Sequence, residues 1–384
     1  MSEDFGWSLE CSACSRPRSA EGLAGVCECG QPYLVRYRAV PPPHVKSLLG
    51  DRGWTMWRYR EWLPLTEGEA PLTLGEGGTP LLAVPRLAAK HGLPRLCVKD
   101  EGANPTGSFK ARGLAAAVTR AARAGARAFV VPTAGNAGVA LAAYAARAGL
   151  PARVYAPAGT PATILSQIRS YGGDLVLIEG HIGDCGAAAR AYAAETGAVD
   201  VSTLREPYRI EGKKTLGLEL AEQLGWSLPD VIVYPTGGGT GLIGMSKAFD
   251  ELVRAAWVSG PQPRLYSVQA GGCAPVVEAF AQGAERCTPW REPRTVAAGL
   301  RVPAPLGDRL MLRALRESGG GAVAVSDAQL AAAARELQEL EGIDACPEGG
   351  AALAGTLALA AKGLIQPGER VIVLNTGAGW LYRS

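Results

Sequence analysis

Four loops gather the residues whose types and spacing could carry chemistry. The segment EGANPTGSFKARG, residues 101–113, runs turn-forming Asn-Pro-Thr-Gly into a helix opening at Ser108, Phe109 and Lys110. A lysine at a helix N-terminus faces the positive end of the dipole, which favours the neutral amine that a nucleophile needs. By spacing alone, an exposed helix lysine fits the same pattern. Pro132-Thr133-Ala134-Gly135-Asn136 directly precedes another helix. Its N–H groups could hold a carboxylate and Asn136 could donate to a phenolic oxygen, although an ordinary N-cap reads the same way. Thr236-Gly237-Gly238-Gly239-Thr240-Gly241 also leads into a helix. Consecutive glycines let a backbone wrap an oxyanion, so this is a phosphate cradle. Residues 239–244 form a formal GxGxxG, but the next strand ends at Gln269 and Ala270 rather than at an acidic residue, which disfavours a dinucleotide. Asn375-Thr376-Gly377 offers a hydroxyl to a pyridine nitrogen, or is simply a turn.

A fifth cluster lies near the N-terminus. Cys11-x-x-Cys14 and Cys27-x-Cys29 are two thiolate pairs separated by 12 residues, able to close a tetrahedral structural zinc site with no open position. A cysteine-bearing hairpin without metal is the alternative. The chain has nine cysteines, an odd number, five of them scattered, so it is not a disulfide scaffold and fits a reducing, cytoplasmic setting. Only His44, His91 and His181 are present, none near a Ser or Cys nucleophile motif, which argues against His-driven hydrolysis.

The elements that must position these loops alternate. Strands are predicted at 96–99, 128–132, 153–156, 174–178, 231–234, 265–269, 322–325 and 371–375, with helices over 109–124, 136–148 and most other gaps. That pattern predicts an α/β protein with two doubly wound parallel-sheet domains behind an N-terminal zinc-ribbon-like segment. The expected division is 1–38 for the ribbon, 39–115 with 205–384 for a large cofactor-binding domain, and 116–204 for a small α/β domain. Pro41 to Pro43 read as a stiff connector. Trp54, Trp57 and Trp62 are expected to pack on the main body or on a second subunit. Across 384 residues the formal charge is only +3 and the basic residues are dispersed, so no nucleic-acid partner is expected. The start MSEDFGWSLE has no apolar core of a secretory signal. Residues 128–146 carry no charge, but Pro132, Gly135, Asn136 and Gly138 break the run into a strand, a loop and a helix, so no membrane span is expected.

Taken together, the chain resembles the fold type II pyridoxal-phosphate enzymes, the tryptophan synthase β-subunit-like family, and within it the threonine synthases. The segments GEGGTPLL (75–82), KDEGANPTGSFKARG (99–113), AGNAGVALAAYAARAG (134–149), YRIEGKKT (208–215), YPTGGGTGLIG (234–244) and NTGAG (375–379) fall in the family's order. The resemblance implies pyridoxal 5'-phosphate as cofactor. It makes Lys110 the Schiff-base lysine and proton shuttle, with Phe109 before it. It places Asn136 on the phenolic oxygen, Gly237, Gly238, Gly239, Thr240 and Gly241 on the phosphate, and Thr376 on the pyridine nitrogen as a neutral partner. Thr133, Ala134 and Gly135 would bind the carboxylate of a small amino-acid substrate, and Arg209 its phosphate. The implied reaction is O-phosphohomoserine plus water giving threonine plus phosphate, in a homodimer.

Several residues depart from the family pattern. Ala111 stands where Asp is usual and Ala134 where Ser is common. Thr203-Leu204-Arg205-Glu206-Pro207 replaces an Asn-Ser-Val-Asn-Pro-like run; Arg205 adds a cation, and Glu206 an anion expected to repel phosphate. Cys346-Pro347 replaces Glu-Pro, and Gly379-Trp380-Leu381 replaces Gly-Leu-Lys. Two other readings follow: a β-elimination or β-replacement enzyme of the serine/threonine dehydratase or cysteate synthase kind, and a non-catalytic cofactor-binding regulator.

Overall fold

The computed structural model describes residues 6–383; residues 1–5, the start of the segment read as lacking a secretory signal's apolar core, and Ser384 lie outside the described residues. Three sheets organise the chain. The first is small and antiparallel, with Trp7–Cys11 between Pro17–Arg18 and Tyr33–Tyr37. The second has six strands in the order Gly321–Val325, Arg264–Ala270, Val231–Pro235, Val371–Asn375, Leu96–Asp100, Leu81–Ala83. The third has four, Asp174–Ile178, Ala152–Pro157, Phe129–Pro132 and Val199–Asp200, all parallel.

The predicted strands all form. The six-stranded sheet is parallel except at Leu81–Ala83, which pairs antiparallel with Leu96–Asp100 at one edge. Three residues after a Thr-Pro are too short to show a strand period, so this edge is not legible in the sequence. The central strands VIVYP and VIVLN are buried along their whole length, as expected when helices cover both faces. Their side chains alternate between two cores. Val231, Val233, Val371 and Val373 enter one, and Ile232, Tyr234, Ile372 and Leu374 enter the other.

The helix Lys110–Arg123 is buried from Ala111 to Ala121. Its run of alanines lets it pass close to its neighbours while keeping high helix propensity. It packs in the core of the four-stranded sheet with Val139, Leu141 and Tyr144 of the helix Asn136–Ala148. The uncharged stretch 128–146 thus resolves into strand, loop and helix, and no described helix is long and apolar enough to cross a membrane. Of the three tryptophans, Trp62 meets Trp257 edge-on at 5.0 Å and Trp57 is buried with its Nε1 donating to Glu76. Trp54 is the most exposed of the three. Half of it is exposed, and Arg58 lies over its ring at 4.1 Å.

A fully buried charge cluster ties the strand Leu96–Asp100 to the helices on either side. Arg112 forks onto Glu101 at 2.7 Å and onto Glu219 at 3.0 Å. Lys99 pairs with Glu219 and donates to the Thr79 carbonyl at 2.7 Å. Arg112 and Lys99 therefore both have carboxylate partners, as buried cations require.

Candidate active site

The strands Leu96–Asp100, Val371–Asn375 and Val231–Pro235 lie near one another in one sheet, so their loops leave its carboxyl edge together. The lysine loop and the Asn375-Thr376-Gly377 loop are stitched by backbone bonds. Phe109 N–H donates to the Thr376 carbonyl at 3.1 Å, and Ala378 N–H to Gly107 at 2.8 Å. From the other sheet, Asn136 brings its Nδ2 to 3.3 Å from where a Cβ on Gly377 would stand. Thr203 meets the glycine loop, its Cγ2 2.7 Å from where a Cβ on Gly238 would stand. The loops singled out in the sequence therefore form one site.

Lys110 is half-buried rather than an exposed helix lysine, and its amine is depressed to about 7. Burial is the main cause and the Arg209 charge the second, with Glu348 opposing both. These tertiary effects outrank the helix end expected from sequence. The shift has a thermodynamic consequence. In the unfolded chain the amine holds its proton up to its ordinary value of 10.5, whereas the folded chain releases it near 7. Between those values the unfolded state binds more protons, so stability rises with pH. Thermal melts of the cofactor-free protein from about pH 7 to 9 should show rising midpoints, and Lys110→Met should flatten the rise.

Two further cations stand beside Lys110. Arg209 is buried, its Nη1 donates to the Val201 carbonyl at 2.6 Å, and its Nε and Nη2 have no hydrogen-bond partner among the described residues. Lys213 is buried, donates to the Phe109 carbonyl, and lies over the Phe109 ring at 3.8 Å. Its amine is pushed well down by burial first and by the Lys110 charge second. Among the described residues neither Arg209 nor Lys213 has a carboxylate within ion-pair distance, in contrast to the buried Lys99, Arg112, Lys214 and Lys247. A buried guanidinium without a counter-ion calls for an anion, and an anion bound there would also favour the protonated form of Lys213. Lys213 lies within YRIEGKKT, where the family resemblance gives a role to Arg209 alone; its spacing of four from Arg209 puts both on one helix face and is the signal that could have revealed it.

The glycine loop is built to receive a phosphate. The N–H groups of Gly237, Gly238, Gly239 and Thr240 donate to no acceptor among the described residues. Gly239 holds φ +75°, and a Cβ there would stand 2.0 Å from the Met311 sulfur. A Cβ on Gly237 would stand 2.0 Å from the Gly299 carbonyl oxygen. Gly241 differs, since its backbone lies against the buried Tyr234 hydroxyl. In the Pro132–Asn136 loop, Gly135 N–H is already bonded to Thr133 Oγ1 at 3.0 Å, which leaves Ala134 and Asn136 N–H unengaged among the described residues.

The remaining polar groups are neutral or held. Thr376 Oγ1 lies 3.8 Å from the Cys346 sulfur, so no formal charge is bonded to it. Asn136 Nδ2 donates to the Tyr382 hydroxyl at 3.1 Å, and its buried Oδ1 has no partner. Glu348 is buried and accepts from Gly299 N–H at 2.7 Å. Tyr382 and Glu348 carried no sequence signal, because only the fold brings residues 348 and 382 to Lys110 and Asn136. Glu206, expected to repel phosphate, instead turns both oxygens onto the N–H groups of Tyr208 and Arg209, at 2.8 and 2.9 Å. Burial raises its carboxyl to about 7. Free N–H groups at the glycine loop, unpaired cations and a low-pKa lysine fit an anionic aldehyde cofactor with a phosphate tail.

The four N-terminal cysteines also converge. All four sulfurs lie within 4.8 Å of one another, with Cys11 and Cys29 at 3.4 Å and Cys14 and Cys27 at 3.7 Å. Tetrahedral zinc with bonds of about 2.3 Å sets sulfurs about 3.8 Å apart, so the set fits that ion.

Comparison with known proteins places the chain in a family. The family described as "Pyridoxal-phosphate dependent enzyme" matches residues 72–377. The chain is 38% identical to the threonine synthase of Methanosarcina acetivorans, over 84% of this chain and 79% of that protein. It is 33% identical to the threonine synthase of Methanocaldococcus jannaschii, over 96% and 91%. Among solved structures, a T.th. threonine deaminase superposes with a TM-score of 0.67 at 27% identity, covering 78% of this chain and 92% of that one. With its loops, lysine and glycine cradle arranged as described, the chain belongs to the pyridoxal-phosphate dependent enzyme family, and within it to the threonine synthases.

Proposed function

We propose that the enzyme converts O-phosphohomoserine and water to L-threonine and phosphate. The observation that carries this reading is the Arg209 guanidinium, buried beside Lys110 with two nitrogens unbonded and no carboxylate within ion-pair distance among the described residues, with the Lys213 amine one turn along the same helix. A substrate phosphate supplies the missing charge, and its departure leaves a dianion that the same cations stabilise.

Pyridoxal phosphate, when bound, supplies an electron sink for carbanions next to the amino group. Lys110 holds the cofactor aldehyde and then carries protons at the substrate α- and β-carbons. A value near 7 suits both taking and returning a proton. Gly237, Gly238, Gly239 and Thr240 hold the cofactor phosphate, with Gly241 shaping the turn against Tyr234. Asn136 would serve the phenolic oxygen, and Phe109 bonds the lysine loop to Thr376, whose hydroxyl would serve the pyridine nitrogen. Ala134 and Asn136 N–H grip the substrate carboxylate, with Thr133 bracing Gly135.

A dehydratase-like reading draws on one observation: the run Thr203 to Pro207 brings Glu206, not a phosphate donor, to the head of the Arg209 helix. Incubation with O-phosphohomoserine separates the two. Threonine and phosphate should appear in equal amounts, and Arg209→Ala should raise KM by about tenfold or more. Keto acid from serine or threonine, without phosphate release from O-phosphohomoserine, would establish the second reading.

The cysteine unit is proposed to hold one structural zinc. The purified protein should carry about one zinc per chain by atomic absorption, and Cys27→Ser should lose it with a fall in melting temperature. The division into 1–38, 39–115 with 205–384, and 116–204 is proposed because each sheet draws all its strands from one of these spans. A homodimer is proposed on family resemblance. A reducing cytoplasmic setting is proposed because the nine cysteines are free thiols.

A further inference from the structure

The cysteine unit is not an isolated appendage, because its core is completed by a residue next to Arg209. Tyr208 packs into the same apolar cluster as Trp7, Leu9, Cys11, Cys27, Tyr33 and Val35. Trp7 and Tyr208 also share the Arg120 guanidinium, which stands 5.0 Å from one ring and 5.9 Å from the other. Arg120 belongs to the lysine helix and is anchored on Glu69 at 2.8 Å. One turn further along the Tyr208–Gln223 helix, Glu211 accepts from the Tyr37 hydroxyl at 2.7 Å, and Lys214 lies over the Tyr37 ring at 4.2 Å. The unit therefore touches the first turn of the helix that carries Arg209 at two points. Among the described residues the Arg209 side chain itself makes a single hydrogen bond, to Val201. Its place is thus set by its helix turn more than by its own contacts.

We infer that the four-cysteine unit is a positioning element for the substrate anion: through Tyr208 it fixes the helix turn that presents Arg209 to the phosphate. This rests on the reading of Arg209 as the phosphate group's partner. A shift of a fraction of an ångström in that turn weakens anion binding, while Lys110, at the far end of its helix from Arg120, is held by the Phe109–Thr376 backbone bond and the glycine loop by its own strand.

The test uses the holoenzyme and inorganic phosphate as probe, measured by titration calorimetry, with KM and kcat for O-phosphohomoserine beside it. Leu9→Ala loosens the shared cluster from the ribbon side without touching the helix; Tyr208→Ala removes the contact, and Tyr208→Phe keeps the ring. Leu9→Ala and Tyr208→Ala are expected to weaken phosphate binding and raise KM by about tenfold, with kcat and the cofactor absorption band unchanged. Tyr208→Phe should bind phosphate within about twofold of the parent. Should Tyr208→Ala not fold, Leu9→Ala decides alone. Arg209→Ala separates the two levels. If it loses phosphate binding while Leu9→Ala and Tyr208→Ala keep it, the positioning role is wrong. If Arg209→Ala binds phosphate normally, the assignment of Arg209 is wrong and the inference goes with it. A fall in kcat or loss of the absorption band in Leu9→Ala would show general disruption and also overturn the inference.

Discussion

Replacing Lys110 with alanine should lower turnover by about 10⁴-fold or more and abolish the visible absorption of the bound cofactor. Two losses combine. The amine that holds the aldehyde is gone, and so is the base that moves substrate protons. No described histidine takes over: His44 is exposed in the Pro43–Asp51 turn, His91 pairs with Glu336 and His181 with Asp184. Lys213 is the nearest other amine, but it is occupied by the Phe109 carbonyl and aimed at the ring of Phe109. Lys213→Met should therefore retain the absorption band while weakening phosphate binding, which distinguishes a neighbouring cation from the reacting lysine. A regulator that binds the cofactor without turnover would show the band in the parent protein and no product in any variant.

Arg112→Ala should be the most destabilising single change outside the catalytic loop. It strips Glu101 and Glu219 of their shared guanidinium where no water reaches, at a cost of about 3–5 kcal/mol. Arg112→Lys should recover only part, because an ammonium cannot fork onto two carboxylates. Adding Glu101→Gln to Arg112→Ala should recover part of the loss, since Glu101 is the carboxylate left without a cation while Glu219 keeps Lys99. Urea unfolding followed by tryptophan fluorescence measures all three. The carboxyl of Glu219 is held far below its ordinary range, despite burial, by Arg112 first and Lys99 second. A depressed carboxylate stabilises the fold above its unfolded value of 4.5 and loses that contribution as pH falls below it. Glu219→Gln should accordingly narrow the difference in stability between neutral and acid pH.

Much of this was legible in the chain itself, for identifiable reasons. Strands such as VIVYP and VIVLN are continuous β-branched runs closed by turn residues, a pattern few other structures satisfy. The lysine loop and the glycine loop each announce themselves by residues that only an unusual backbone needs, such as Gly239. The edge strand Leu81–Ala83 escaped because three residues carry no period. Lys213 escaped because only its spacing of four from Arg209 marks it. Glu348 and Tyr382 escaped because their importance comes from where a helix and the chain's last turn are laid down, not from neighbours in sequence. Glu206 was misjudged for the same reason. As a bare residue it is an anion near a phosphate site, but in place it caps the helix that carries Arg209. Charge alone did not reveal which way its oxygens turn.

Reduction of the holoenzyme with borohydride, followed by proteolysis and mass mapping, fixes the cofactor to whichever amine holds it. A single pyridoxyl mass on the peptide containing Phe109 and Lys110 is the expected result. The same mass on Lys213, Lys99 or any other lysine, or on none, would contradict the assignment from which the site, its protons and its phosphate loop all follow.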